Sequence, residues 1–159
     1  MIRPLDPADL DAYASIVADR EVMRFIGNGA PQHRDEAEAY ITDCIARYAA
    51  DGLSRYALTD RRTGAFLGFS GFKRIEGRVD FGYRLARSAW GRGLACEAGA
   101  AVLRHGFANL AIKTVWAGVR PGNAASARVL EKLGFDPGPQ AGFAPGDEWW
   151  RITASVQTA

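Results

Sequence analysis

The sequence predicts an α+β fold built on one mixed, mostly antiparallel sheet with about four helices around it. Three observations carry this. Apolar residues recur at helical spacing through the first fifty positions. The period then shortens to strand-like alternation between Ser54 and Leu85. From there to the end, helix-like and strand-like segments take turns, which places helices against a sheet rather than in a bundle.

Each element follows in order. Ile2-Arg3-Pro4-Leu5 reads as a short edge strand, because Pro4 lacks an N–H for a ladder. Asp6-Pro7 opens a helix with Asp6 as N-cap and Pro7 in the first position, and Leu10, Tyr13, Ala14 and Val17 form its apolar face. Gly27 to Pro31 breaks the pattern. A second helix spans about Arg34 to Ala50, with Ala37, Tyr40, Ile41, Cys44, Ile45 and Tyr48 on its stripe and Gly52 ending it. Ser54–Thr59, Ala65–Lys73 and Arg78–Leu85 read as a three-stranded antiparallel meander joined by two connections that end in Gly. Gly93 to Leu110 is helical, Thr114 to Val119 is a strand, and Asn123 to Leu133 is a short helix stopped by Gly134. After a flexible Pro137–Gly146 loop, a last strand lies near Trp149 to Val156.

Size and composition exclude several classes. A chain of 159 residues and 17.2 kDa buries roughly 70% of its unfolded surface, enough for one core, so residues 1–159 are expected to form a single domain. A hydrophobic fraction of 48% is too high for disorder, and no apolar run approaches the roughly 20 residues of a membrane span. No signal peptide is visible at the N-terminus. Cys44 and Cys96 have no metal-type spacing, which fits a reducing, cytoplasmic setting without a disulfide or zinc. A net charge of +2 does not favour nucleic acid as partner. The cations split into 17 Arg and 3 Lys, a bias that coding preference alone can produce.

The chemistry concentrates in two segments. Tyr83-Arg84-Leu85-Ala86-Arg87-Ser88-Ala89-Trp90-Gly91-Arg92-Gly93-Leu94-Ala95 takes a strand through a Gly-x-Gly turn straight into a helix. Glycines permit close backbone approach, and the unpaired N–H groups and positive dipole end of a helix start suit a phosphate. Arg84, Arg87 and Arg92 add cationic charge in sequence. Alone, the same Gly-x-Gly is equally a plain tight turn. It is not a Rossmann fingerprint, since Cys96 stands where a third Gly or Ala is needed and no acidic residue ends the next strand, after Val119. Nor is it a Walker loop, since the chain has no Gly-Lys-Ser/Thr. The second segment, Gly122-Asn123-Ala124-Ala125-Ser126 through Leu130-Glu131-Lys132-Leu133-Gly134-Phe135, is by itself a capped amphipathic helix.

Taken together, Trp-Gly-Arg-Gly-Leu-Ala and, about 30 residues later, Gly-Asn-x-x-Ser-x-x-x-Leu-Glu-Lys-Leu-Gly-Phe resemble the GNAT superfamily of acyl-CoA-dependent N-acetyltransferases, nearest to its RimJ/RimL-like branch. The likeness covers essentially the whole chain. It implies the GNAT fold, acetyl-CoA as acyl donor, and direct transfer to a primary amine, either a protein N-terminus or a small molecule. The resemblance puts the pantetheine beside Tyr83, Arg84 and Leu85, and the pyrophosphate on the amides of Ala89, Trp90, Gly91, Arg92, Gly93, Leu94 and Ala95. It also puts Asn123 against the pantetheine and Ser126 near the sulfur. Ser88, with Arg87 before it, departs from the Gln or Arg often found three residues before the first loop glycine.

Direct transfer needs no covalent intermediate, so the lack of a Cys/His or Ser/His/Asp pattern raises no difficulty. A backbone N–H near Leu85 is the natural donor to the thioester carbonyl. Ser126 is the candidate acid for the leaving thiolate, and Asp80 the first candidate base, with Glu76 and Glu148 as alternatives. Phe25, Trp149 and Trp150 are available to frame a cationic amine, with core packing as the alternative role for each. His33 and His105 fit no catalytic spacing. The competing functions are a catalytically weak CoA-binding regulatory module and a plain interaction domain. The sequence allows a monomer or homodimer, with no membrane partner.

Overall fold

The computed structural model describes residues 1–138 and 146–154. Its elements run β1 (Ile2–Pro4), α1 (Leu10–Val17), α2 (Arg20–Met23), α3 (Arg34–Asp51), β2 (Arg55–Thr59), β3 (Phe66–Ile75), β4 (Arg78–Leu85), α4 (Leu94–Asn109), β5 (Thr114–Val119), α5 (Ala124–Lys132), β6 (Asp136–Pro137) and β7 (Glu148–Thr153). Short 3-10 turns at Pro7–Asp9 and Arg87–Ala89 precede α1 and α4. The seven strands form one sheet in the order β1-β2-β3-β4-β5-β7-β6. β4 and β5 run parallel and every other neighbouring pair is antiparallel.

Local chemistry explains the boundaries. Asp6 accepts from Ala8 N–H at 2.8 Å, while its own N–H donates to Asp9 at 2.9 Å, a reciprocal cap that starts the first helical segment. Gly52 ends α3 at φ +75°, the left-handed geometry of a helix C-terminal glycine. The connection between β3 and β4 is the two residues Glu76 (φ +48°) and Gly77 (φ +78°). Two successive positive φ angles make the hairpin turn whose twist matches that of paired strands.

Two helical layers sandwich the sheet. α4 and α5 cover one face, where Phe72, Phe81, Val102, Leu103, Val115, Leu130, Phe135 and Trp150 form the main core. α1 and α3 cover the other, packing Tyr13, Val17, Ala37 and Ile41 onto Phe69. Side chains alternate between faces, so the β3–β4 register assigns Val79, Phe81, Tyr83 and Leu85 to the α4/α5 face. Asp80, Gly82 and Arg84 fall on the α1/α3 face.

Two sequence expectations change. The four-residue α2 follows the capping residue Asp19, whose carboxylate accepts from Glu21 N–H at 2.9 Å, and no helical period that short is visible in sequence. Tyr48, expected on the buried stripe, is 42% exposed and only meets the edge of Tyr56. Trp150 belongs to the core, the packing role the sequence also allows it. The expected end of the last strand at Val156 and most of the Pro137–Gly146 loop lie outside the described residues.

Candidate active site

The site begins where β4 and β5 stop pairing. Their ladder has a single register pair, Asp80 with Trp116, whereas β3 and β4 pair along their whole length. Hydrogen-bonded and non-bonded pairs alternate along an antiparallel ladder. Ala86 N–H donates to Leu67 C=O at 2.9 Å, which makes Ala86–Leu67 a bonded pair. Counting back, Arg84, Gly82 and Asp80 bond to β3, and Phe81, Tyr83 and Leu85 aim their N–H groups towards β5. Phe81 lies beside the Asp80–Trp116 pair that closes the ladder. Tyr83 and Leu85 therefore present the first donors in the opening beyond it.

The mouth of this opening is the start of α4. Gly91 and Gly93 adopt φ +72° and +73°, conformations that disfavour any residue with a Cβ. The first intrahelical bond is Glu97 N–H to Gly93 C=O, so Leu94, Ala95 and Cys96 have N–H groups with no partner inside the helix among the described residues. One sequence expectation is corrected here. Ala89 and Trp90 already donate to Ala86 and Arg87 at 2.9 and 3.0 Å within the 3-10 turn, leaving the available amides from Gly91 onward. Trp90, 48% exposed, folds back so that its indole N–H donates to Leu85 C=O at 3.0 Å, fixing the strand end to the loop.

The cationic residues are also redistributed. Arg92 stays exposed and Arg87 forms an exposed ion pair with Asp19 at 3.6 Å. Arg84 turns to the opposite face of the sheet, where it donates to the Tyr13 hydroxyl at 2.6 Å and stacks over Tyr13, Tyr40 and Phe69 at 5.4–5.8 Å. Its charge is therefore not at the loop, although its backbone is.

On the α4/α5 face, α5 faces β4. Asn123 caps α5 by accepting from Ser126 N–H at 3.2 Å, which occupies its side-chain oxygen. Ser126 in turn accepts a long bond from the Tyr83 hydroxyl at 3.4 Å. Burial pushes the Tyr83 phenol above its ordinary value, so it remains a protonated donor at neutral pH. This hydroxyl was not among the sequence candidates. Residues 43 apart in the chain give no local signal for such a contact.

Asp80 sits on the α1/α3 face, 14% exposed, with Oδ2 accepting from Arg55 Nη2 at 2.7 Å. Burial raises its carboxyl above the usual range while Arg55 pulls the other way. The other base candidates are placed differently. Glu76 lies in the hairpin turn at the far end of β4, and Glu148 is exposed where β7 meets Val119 of β5. Trp149 is buried over Gly118, and Phe25 carries Arg24 stacked at 5.1 Å. His33 starts α3 and His105 bonds Asn109 at 3.0 Å on the surface of α4. Among the described residues no group of His, Cys, Asp or Glu is arranged to hold a metal, and no helix is long and apolar enough to cross a membrane.

The family described as acetyltransferase (GNAT) domain matches the chain over residues 1–136. The chain is similar to the uncharacterized protein YkkB of Bacillus subtilis, with 42% identity over 88 residues covering 53% of this chain and 51% of that one. It thus spans about half the length of that relative. An acetyltransferase structure from Agrobacterium tumefaciens str. C58 superposes with TM-score 0.86 at 27% identity, covering 96% of this chain and 90% of that chain. RimL, a ribosomal L7/L12 α-N-protein acetyltransferase in complex with coenzyme A, has the same fold, with TM-score 0.80 at 18% identity over 96% and 92% of the two chains.

Proposed function

Because the chain belongs to the acetyltransferase (GNAT) family, we propose that residues 1–159 act as one unit that moves an acetyl group from acetyl-CoA directly to a primary amine. The observation that carries the reading is the Tyr83–Ser126 contact across the β4–β5 opening, directly beyond the last paired residues of β4. The site suits this cosubstrate. Gly91 to Ala95 offer backbone amides that suit a pyrophosphate, and the Tyr83 and Leu85 N–H groups suit an extended amide chain. Gly91 and Gly93 have no heavy atom within 4 Å of where a Cβ would stand, so the space above the loop is open. Bound acetyl-CoA supplies the thioester whose acyl group is transferred.

The protein's own groups divide the remaining work. Tyr83 N–H, with Leu85 N–H beyond it, polarises the carbonyl. Ser126 donates its hydroxyl proton to the departing sulfur while accepting from Tyr83, so the phenol stands behind it as a second donor. Asp80 accepts the amine proton. At about 3.3 Å per residue, Asp80 lies roughly 10 Å along β4 from Tyr83, so it acts through bridging water. Asn123 keeps Ser126 in place by capping α5. The acceptor is a protein N-terminal or small-molecule amine. An α-amine, with its lower ordinary pKa of roughly 7.7–8.0, asks less of such a relayed base than a lysine-like amine near 10.4. The two reduced thiols, Cys44 buried and Cys96 in α4, accord with work in a reducing cytoplasm.

Calorimetry with acetyl-CoA and thiol release with a panel of amines test the reading. The panel holds alanine- and serine-initiated peptides, free amino acids, spermidine and an aminoglycoside. Binding together with amine-dependent thiol release is the expected result. Binding without turnover on any amine supports the regulatory module instead, and no binding at physiological acetyl-CoA removes both.

A further inference from the structure

We propose that Arg55 is a positioning residue: its guanidinium, laid across the sheet from β2, holds the Asp80 carboxylate at the apex of the β4–β5 opening as an ionised proton acceptor. This rests on the reading of Asp80 as the base.

The geometry is unusual for an ion pair. Arg55 stands on β2 and Asp80 on β4, two strand spacings or roughly 10 Å apart, with β3 between them. The Arg55 side chain bridges them on the α1/α3 face. Nη2 reaches Asp80 Oδ2 at 2.7 Å, and Nη1 donates to the Gly71 carbonyl at 2.5 Å, with the Gly82 carbonyl at 3.3 Å and the Asp80 carbonyl at 3.5 Å. The guanidinium also lies 5.8 Å from the centre of the Phe69 ring. The route exists because Gly82 has no side chain: a Cβ there would stand 3.0 Å from both Nη atoms. One side chain thereby ties three strands at the point where β4 loses its β5 neighbour.

The surrounding charges single out Arg55. Lys73 is the register partner of Asp80 on β3 and lies only partly buried. On β5 the partner is Trp116, stacked by Arg78 at 5.3 Å and Arg151 at 5.7 Å. Farther along β4, Arg84 is held by Tyr13 of α1. From α3, Tyr40 and Cys44 act on the Arg55 charge. Burial opposes the Arg55 charge, but Tyr40 and Asp80 outweigh it and keep the guanidinium protonated. Among the described ion pairs, Arg55 is the partner of the Asp80 carboxylate. Without it, a carboxylate this enclosed protonates rather than stay charged and unpaired.

The experiment is the pH dependence of kcat at saturating acetyl-CoA, read by thiol release with spermidine or an alanine-initiated peptide, whichever turns over faster. A base must be deprotonated, so activity falls as pH drops through its pKa. Removing a cation in contact with a carboxylate raises that pKa by about 1–3 units. In R55M the acid limb is therefore expected to move up by about 1–3 units, and R55K is expected to restore most of the shift. Acetyl-CoA affinity is expected to stay within about threefold, since Arg55 lies on the face away from α4. D80N is expected to lose the limb together with most of kcat.

An R55M enzyme that folds and loses activity equally at every pH overturns the proposal, leaving Arg55 a structural strap. If R55M does not fold, G82A and R55K carry the test. G82A displaces the guanidinium without deleting it and is expected to shift the limb upward, while R55K, which keeps the charge, is expected to shift it less than G82A; an unmoved limb in G82A refutes the idea. Failure of the premise looks different, because D80N would then retain both the limb and wild-type kcat.

Discussion

Substituting Gly93 by Ala isolates the part of the loop assignment that depends on backbone geometry. Gly93 is the N-cap of α4 at φ +73°, ψ 2°, and a Cβ there meets nothing within 4 Å. G93A therefore acts by conformational strain, not by clash. Left-handed geometry costs an alanine about 1–2 kcal/mol. In a chain of this length that amounts to a fall in Tm of about 2–8 °C. The strain is relieved only if the residue turns, which re-aims the amides of Gly93, Leu94 and Ala95. Gly77 is a matched control, at φ +78° with equally open surroundings but in the hairpin at the other end of β4. G77A is expected to lose similar stability and keep its affinity. G93A is expected to lose at least tenfold in acetyl-CoA affinity, about 1.4 kcal/mol, by calorimetry. Equal stability losses with unchanged affinity in both variants would show that the α4 start does not bind the cosubstrate.

Other outcomes follow from single contacts. S126A is expected to lower kcat at least tenfold while acetyl-CoA affinity, measured separately, changes little; equal turnover removes Ser126 as proton donor. N123A deletes the α5 cap and is expected to destabilise by about 1 kcal/mol in urea unfolding, with kcat falling because Ser126 is no longer held. Asp9 is largely buried, which pushes its carboxyl up, but the bonds from Arg3 and from Asp6 N–H together hold it below the ordinary range. The stability it contributes is therefore full above the unfolded pKa of roughly 4 and lost as pH falls through the lower folded value. The stability gap between wild type and D9N should close below about pH 4; a gap constant from pH 7 to 3 would refute the assignment.

Features whose cause lies within a few residues were legible in the sequence. Asp6, Gly52 and Asn123 announced helix ends, and Gly91 and Gly93 announced a turn with positive φ, because caps and turns are settled by the residues that form them. Contacts between distant strands were not. Nothing in the chain shows that Arg55 meets Asp80 25 positions on, or that Tyr83 meets Ser126, because both depend on the order of strands in the sheet. The Arg bias gains a partial physical reason from the same source. Arg55 and Arg84 are enclosed among aromatic rings, where a planar, delocalised cation stacks and an ammonium would not. The engagement of the Ala89 and Trp90 amides is not legible either, because the 3-10 turn that binds them has no side-chain signature.

The alternation along β4 gives one strand room for the two opposed proton transfers of the proposed reaction. Odd positions put Tyr83 against Ser126 and α4, where the proposed reaction delivers a proton to sulfur; even positions put Asp80 on Arg55 and towards α1 and α3, where the proposed reaction removes one. The sheet separates the two, so donor and acceptor do not neutralise each other before the transfer. That separation depends on register, since a slip of one residue exchanges every side chain between faces. The register is set at the Glu76–Gly77 turn, whose two positive-φ residues fit a two-residue hairpin and no longer connection. Inserting a single residue there would shift β4 against β3, turning Asp80 and its charge into the apolar layer beneath α4 and Tyr83 into the nest of Tyr13, Tyr40 and Phe69. Such a variant is expected to lose the fold around β4 along with activity, even though the turn lies at the opposite end of the strand from the cosubstrate loop.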